Sequence, residues 1–117
     1  MSSPLLTRSK KLGLEVIKLA DDLPQKQAAY VITKQIIRSA TSVGANYRAA
    51  CRAKSTPDFI NKLKIVEEEA DETHYWLEIL EEAGLMTPER IAPIKAETNE
   101  IISMVVASIK TLRSKQT

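Results

Sequence analysis

Residues Lys34–Ser55 read KQIIRSATSVGANYRAACRAKS, and the spacing inside this stretch decides the fold. Ile36, Ser39, Val43, Tyr47 and Ala50 recur every three or four residues, the period of one helical face. Ser39, Ala40, Ser42, Ala45, Ala49 and Ala50 are small and allow a second helix to approach closely. Gly44 falls in mid-pattern, where an exposed glycine costs about 1 kcal/mol against alanine. Tolerance within a long packed helix accounts for it more simply than a functional kink. On an ideal helix, Lys34, Arg38, Arg48 and Arg52 form a cationic stripe about 80° wide, opposite Val43.

Working outward, this helix extends from Lys26 to Ala53, with Ile32 also on its apolar side. Upstream, Leu5, Leu12, Val16, Leu19, Ala20 and Leu23 share one arc. They predict a first helix over Leu6 to Asp22, ended by Pro24, because the residue before a proline disfavours the α region. Downstream, Thr56, Pro57 and Asp58 read as a capping hydroxyl, a proline at the first helical position and an acid facing the macrodipole. The third helix runs from there to Ala83. Gly84 and Leu85 then form a cap with glycine in the left-handed conformation. Thr87, Pro88 and Glu89 repeat the start signal for a fourth helix reaching Arg113, with Ile91, Ile94, Ile101, Ile102, Val105, Ile109 and Leu112 inward. No segment alternates as a strand does. Short connections between long helices predict an all-α, antiparallel up-down-up-down four-helix bundle, one domain over residues 1–117.

Composition agrees. Hydrophobic residues make up 44% and charged residues 27%, with three glycines and five prolines, the balance of a globular chain. A chain of this length buries roughly 65% of its unfolded surface without disulfides or metals. One cysteine, Cys51, cannot form an internal disulfide and fits a reducing compartment; it is expected to be a buried thiol. No signal-peptide pattern opens the chain, and the longest near-apolar run, Ile101–Ile109, falls far short of the ~20 residues of a membrane span. The expectation is a soluble cytoplasmic protein with no membrane partner.

A net charge of +2 conceals segregation along the chain. Met1–Ser55 holds ten Lys and Arg against three acids, Thr56–Gly84 two against nine, and the remainder five against three. The basic and acidic segments are expected to pair, within a chain or between chains. Three uses are open to the stripe of Lys34, Arg38, Arg48 and Arg52. It is a solvated face, a phosphate-binding surface for RNA or DNA, or half of a subunit contact. Basic residues near the chain ends, Arg8, Lys10, Lys11, Arg113 and Lys115, extend the second option, whereas Tyr30 and Tyr47 offer little for base stacking.

The third option comes from the third helix, whose apolar residues occupy two faces. Phe59, Leu63, Val66, Ala70, Leu77 and Leu80 form a core seam. Ile65, Trp76 and Ile79 lie nearly opposite, among Glu68, Glu69 and Glu72. An apolar centre with a charged rim has the anatomy of an interface. Its expected complement is the basic face of Arg38, Arg48 and Arg52 on another subunit, a heterologous contact that closes into a ring when the rotation permits.

Candidate chemistry is thin, and neither a catalytic residue nor a metal or other cofactor is expected. Asp71 and His74 have carboxylate-x-x-His spacing, but a di-iron bundle needs that motif on two helices and His74 is the only histidine. No phosphate-cradling glycine loop or dinucleotide fingerprint occurs. Ser42 and Asn46 are expected to be structural polar residues, with Asn46 at the margin of the core bonding to a neighbouring helix and fixing register.

Residues Ile37–Asn46 (IRSATSVGAN), then Arg52, Ser55 and Phe59, then Glu67–Glu72 (EEEADE) and Trp76, resemble the bacterial four-helix-bundle family that includes the 23S ribosomal RNA intervening-sequence proteins. The resemblance spans nearly the whole chain and is most specific in the R-S-A-x-S-x-x-x-N segment. It implies an antiparallel bundle and a ring-shaped homopentamer. Through a related branch, the accessory variability proteins of diversity-generating retroelements, it also implies a basic surface that binds nucleic acid and a reverse transcriptase as protein partner. Arg38, Ser42, Asn46, Arg52 and Glu72 match family positions as structural or interface residues. The small-Glu-Gly pattern that follows the asparagine in many members is absent, Ala49 and Ala50 standing at its glutamate and glycine positions. Two readings follow: a non-enzymatic homo-oligomeric scaffold or accessory protein, and a nucleic-acid-binding module.

Overall fold

The computed structural model describes residues 4–115, which form four helices: α1 (Pro4–Asp21), α2 (Gln27–Ala50), α3 (Thr56–Glu82) and α4 (Pro88–Lys115). Each connection is five residues long, too short to cross the bundle, so successive helices pack side by side and antiparallel. The register confirms this. Gly13 lies against Thr41 while Gly44 lies against Ser9 and Lys10, so α1 ascends as α2 descends. Neighbouring contacts run α1–α2, α2–α3, α3–α4 and α1–α4, the last being the slightest, and the diagonal pairs do not meet. The result is a rod of 50 × 21 × 19 Å.

Local signals explain several boundaries, and others shift by one to three residues. The cap of α3 is Ser55 rather than Thr56: the Asp58 amide donates to Ser55 Oγ at 3.2 Å, and helix begins at Thr56 itself. Ser55 holds the extended backbone that a cap requires. At the other end, Gly84 has φ 71°, its amide donates to the Glu81 carbonyl, and the Leu85 amide reaches back to Leu80. These two bonds are the Schellman pattern that satisfies the last carbonyls. Thr87 Oγ1 accepts from the Arg90 amide at the start of α4. The second helix stops at Ala50, three residues before the predicted end.

The core is a single seam along the rod axis. Val16, Leu19, Ile36, Val43, Leu63, Val66, Leu77, Leu80, Ile91, Ile101 and Val105 are wholly buried. Ile32, Phe59, Ile102 and Leu112 pack only half-buried at its edges, and Ile60 is buried beside Phe59. A buried hydroxyl pair bridges α2 and α3, with Thr73 Oγ1 donating to Ser39 Oγ at 2.9 Å. Two expectations fail. Asn46 reaches no other helix: its Nδ2 donates to the Ser42 carbonyl, 2.8 Å away one turn back, because at the half-buried margin its own helix is the nearest acceptor. Cys51 is exposed, since α2 ends one residue earlier and leaves the thiol at the bundle's end.

Candidate functional site

Packing α2 between α1 and α3 breaks the cationic stripe into separate environments. Arg38 turns toward α3, donating to Glu72 Oε2 at 2.6 Å and to Glu69 Oε2 at 3.2 Å. The hydrogen bond from Arg38, with a second from Trp76, holds the Glu72 carboxyl below its ordinary range, and the same carboxylates raise Arg38. Arg38, expected to face acids of another subunit, pairs with Glu69 and Glu72 of its own chain, and Glu69 Oε1 stays buried without a hydrogen bond. Antiparallel packing of α2 and α3 sets Arg38 opposite these two acids. Lys34 stands nearer the other end of the rod with its Nζ 5.2 Å from the Tyr30 ring centre.

Arg48 turns the other way, toward α1. There it meets an open groove of about 1000 Å³ whose apolar surface comes from Leu6, Leu14 and Ile17. Gly13, Thr41, Gly44 and Ala45 supply small side chains, and Lys10, Lys11, Arg48 and Arg52 supply the charge. Leu14 is 52% and Ile17 40% exposed, high for side chains of their size. Arg48, Arg52 and Lys10 make no ion pair among the described residues. Arg8 does: it pairs with Glu97 at 2.6 Å and Glu100 at 3.0 Å on α4, which lowers the Glu97 carboxyl. Sequence reasoning missed this groove because its two halves lie on different helices. Leu14 and Ile17, three residues apart beside the apolar arc of α1, were the available signal.

The outer face of α3 carries the other candidate surface. Ile65 is 41% and Tyr75 52% exposed, Ile79 is half-buried, and Glu68 and Asp71 stand free in solvent. Trp76 is tied in more closely than its place on the wheel suggests. It is half-buried against the core, its Nε1 donates to Glu72 Oε2 at 3.2 Å, and Tyr75 meets it edge-on at 5.1 Å. Tyr75, one turn before Ile79, belongs to this face and was not among the predicted residues.

No three His, Cys, Asp or Glu side chains converge as metal ligands among the described residues. His74 instead lies 3.6 Å from Glu78 on its own helix. No helix among the described residues is long and apolar enough to cross a membrane.

Comparison with known proteins places these features. A crystal structure of a protein of unknown function from the S23 ribosomal protein family of Bacteroides thetaiotaomicron is 40% identical, with a TM-score of 0.85, covering 91% of this chain and 98% of that one. Among curated proteins nothing matches. The family profile for the 23S rRNA-intervening sequence protein matches residues 3–107. With four antiparallel helices and a neighbour superposing over almost its full length, the chain belongs to the 23S rRNA-intervening sequence protein family.

Proposed function

We propose that the protein is a non-enzymatic, self-assembling scaffold whose building contact seats the outer face of α3 in the α1–α2 groove of a neighbouring copy. The observation that carries this reading is the α3 face itself, where Ile65 and Tyr75 stand in solvent beside Glu68 and Asp71. The groove is its complement in character, with Leu14 and Ile17 for the apolar residues and Lys10 and Arg48 for the acids. Like faces do not pair, since α3 on α3 sets acid against acid and groove on groove sets cation against cation. The contact is therefore heterologous, and heterologous contacts close into rings or extend as filaments. A ring of five, the assembly implied by the family resemblance, is the form we favour.

Size-exclusion chromatography with light scattering tests this. The wild type runs as a defined multiple of the 13.0 kDa chain, a pentamer on the favoured reading. Ile65→Ser with Tyr75→Ser removes two apolar contacts worth about 1.5 kcal/mol or more each, weakening association at least a hundredfold. Lys10→Glu with Arg48→Glu dissociates the assembly equally, and adding Glu68→Lys and Asp71→Lys in the same chain restores it. Both surface pairs are exposed, so the variants fold. A monomeric wild type at micromolar concentration refutes the reading.

A further inference from the structure

The groove between α1 and α2 changes character along its length. The register of the two helices sets the order, with Gly44 against Ser9 and Lys10 and Gly13 against Thr41. Arg48 follows Gly44 by one turn and Arg52 stands just past the end of α2, so with Lys10 they gather where α1 begins. Leu14 and Ile17 lie one and two turns from Lys10 in the other direction. One end of the groove is cationic and the other is apolar. Lys10, Arg48 and Arg52 have no acid to pair with among the described residues, and Leu14 and Ile17 are large apolar side chains left in solvent. Unpaired cations and uncovered apolar side chains, set end to end in one cleft, complement a molecule with a charged head and an apolar tail.

We propose that the groove binds a free long-chain carboxylate, its head at Lys10, Arg48 and Arg52 and its tail over Leu14 and Ile17, and that the bound molecule excludes the α3 face of a neighbouring copy. The exclusion rests on the assembly reading above, whereas the binding does not. A carboxylate accepts two parallel hydrogen bonds from one guanidinium, which suits it to a site holding two arginines. Leu6 to Ile17 is eleven residue steps, about 16 Å at 1.5 Å each. An extended chain advances about 1.2 Å per bond, as the backbone does over three bonds per residue, so about 13 bonds fill the groove. The next hollow, beside the α1–α2 loop, is half polar, with Asp21, Gln25, Lys26 and Gln27 in its lining, so a longer tail gains little there. Gly13, Gly44 and Ala45 keep the floor free of large side chains. A single alkyl chain therefore lies deeper than a helix about 10 Å across, and it takes the cations that Glu68 and Asp71 of a neighbour would meet.

The experiment titrates laurate, below its micellar range, into the Ile65→Ser/Tyr75→Ser variant, whose groove no neighbour covers, with isothermal calorimetry as readout. One laurate binds per chain, and affinity rises about two- to fourfold per methylene from octanoate to myristate, then levels off. Arg48→Gln/Arg52→Gln in the same background weakens binding at least tenfold. Leu14→Ser/Ile17→Ser weakens it as much and flattens the chain-length series. Lys18→Gln/Lys26→Gln, at the far end of the rod, changes neither. All these positions are exposed, and circular dichroism checks that each variant keeps its helices. Dodecyltrimethylammonium, with the same tail and the opposite charge, does not bind. Laurate brings the wild type down to the 13.0 kDa chain in light scattering. Absence of saturable binding overturns the proposal whether or not the wild type assembles, and equal binding of the ammonium compound overturns it too. Binding that leaves the wild-type mass unchanged overturns the exclusion. A wild type monomeric from the outset that binds laurate with this chain-length series refutes the assembly reading and upholds the ligand site.

Discussion

The two helical glycines of the α1–α2 seam show how tightly single residues set the distance between helices. A Cβ at Gly44 would stand 3.1 Å from the Ser9 carbonyl oxygen and 3.2 Å from the Lys10 amide, both backbone atoms that can yield only by moving α1. A Cβ at Gly13 would meet Thr41 at 3.5 Å, an ordinary contact. The same substitution therefore has opposite signs at the two sites. Gly13→Ala gains helix propensity and stabilises by about 1 kcal/mol. In Gly44→Ala that gain is outweighed by overpacking of about 1 to 3 kcal/mol, leaving a net loss of about 1. Guanidinium denaturation of the two variants checks both signs. Tolerance in a packed helix was a fair reading of Gly44 from one helix, but the approach of a second backbone is a fact about pairs of helices.

At the scale of the element, α3 and the start of α4 are held by signals near their own ends, and α4 carries one that opposes it. Pro93 lies in the second turn, inside the helix, where it can donate no hydrogen bond to the Glu89 carbonyl. Pro93 and Glu89 are both exposed, so the free carbonyl costs little there, and α4 continues through the proline. Pro93→Ala restores the bond and is expected to stabilise by about 1 to 3 kcal/mol, read as a higher denaturation midpoint with unchanged helical content. Boundaries were legible where chemistry is local, as at Gly84 and Pro88. They slipped where two hydroxyls compete: Ser55 and Thr56 both qualify as caps, and the backbone at Ser55 selects it. The end of α2 slipped for a related reason, since Cys51–Ala53 carry no stop signal and the turn toward α3 ends the helix.

Over the whole molecule, ion pairs across helix boundaries join α2 to α3 through Arg38 and α1 to α4 through Arg8. Glu72 and Glu97 consequently titrate below their ordinary 4.5. A depressed folded value means that the unfolded chain binds more protons in that range. The stabilisation is complete above about pH 4.5 and is lost as pH falls through the folded values. Stability is expected to be level between pH 6 and 8 and lower by on the order of 1 kcal/mol near pH 3, given how far solvent screens such pairs. Arg38→Gln flattens part of that acid slope, and denaturant midpoints against pH provide the check. The sequence by itself determined the helices, their order, their antiparallel packing and the apolar seam, because periodicity, caps and five-residue connections act over a few residues. Only the tertiary structure decided the fate of the charges. Lys34, Arg38, Arg48 and Arg52 share a face on a helical wheel, yet a charge acts on whatever the neighbouring helix places within a few ångströms. Arg38 found Glu69 and Glu72, Lys34 found the ring of Tyr30, and Arg48 and Arg52 found the groove beside α1.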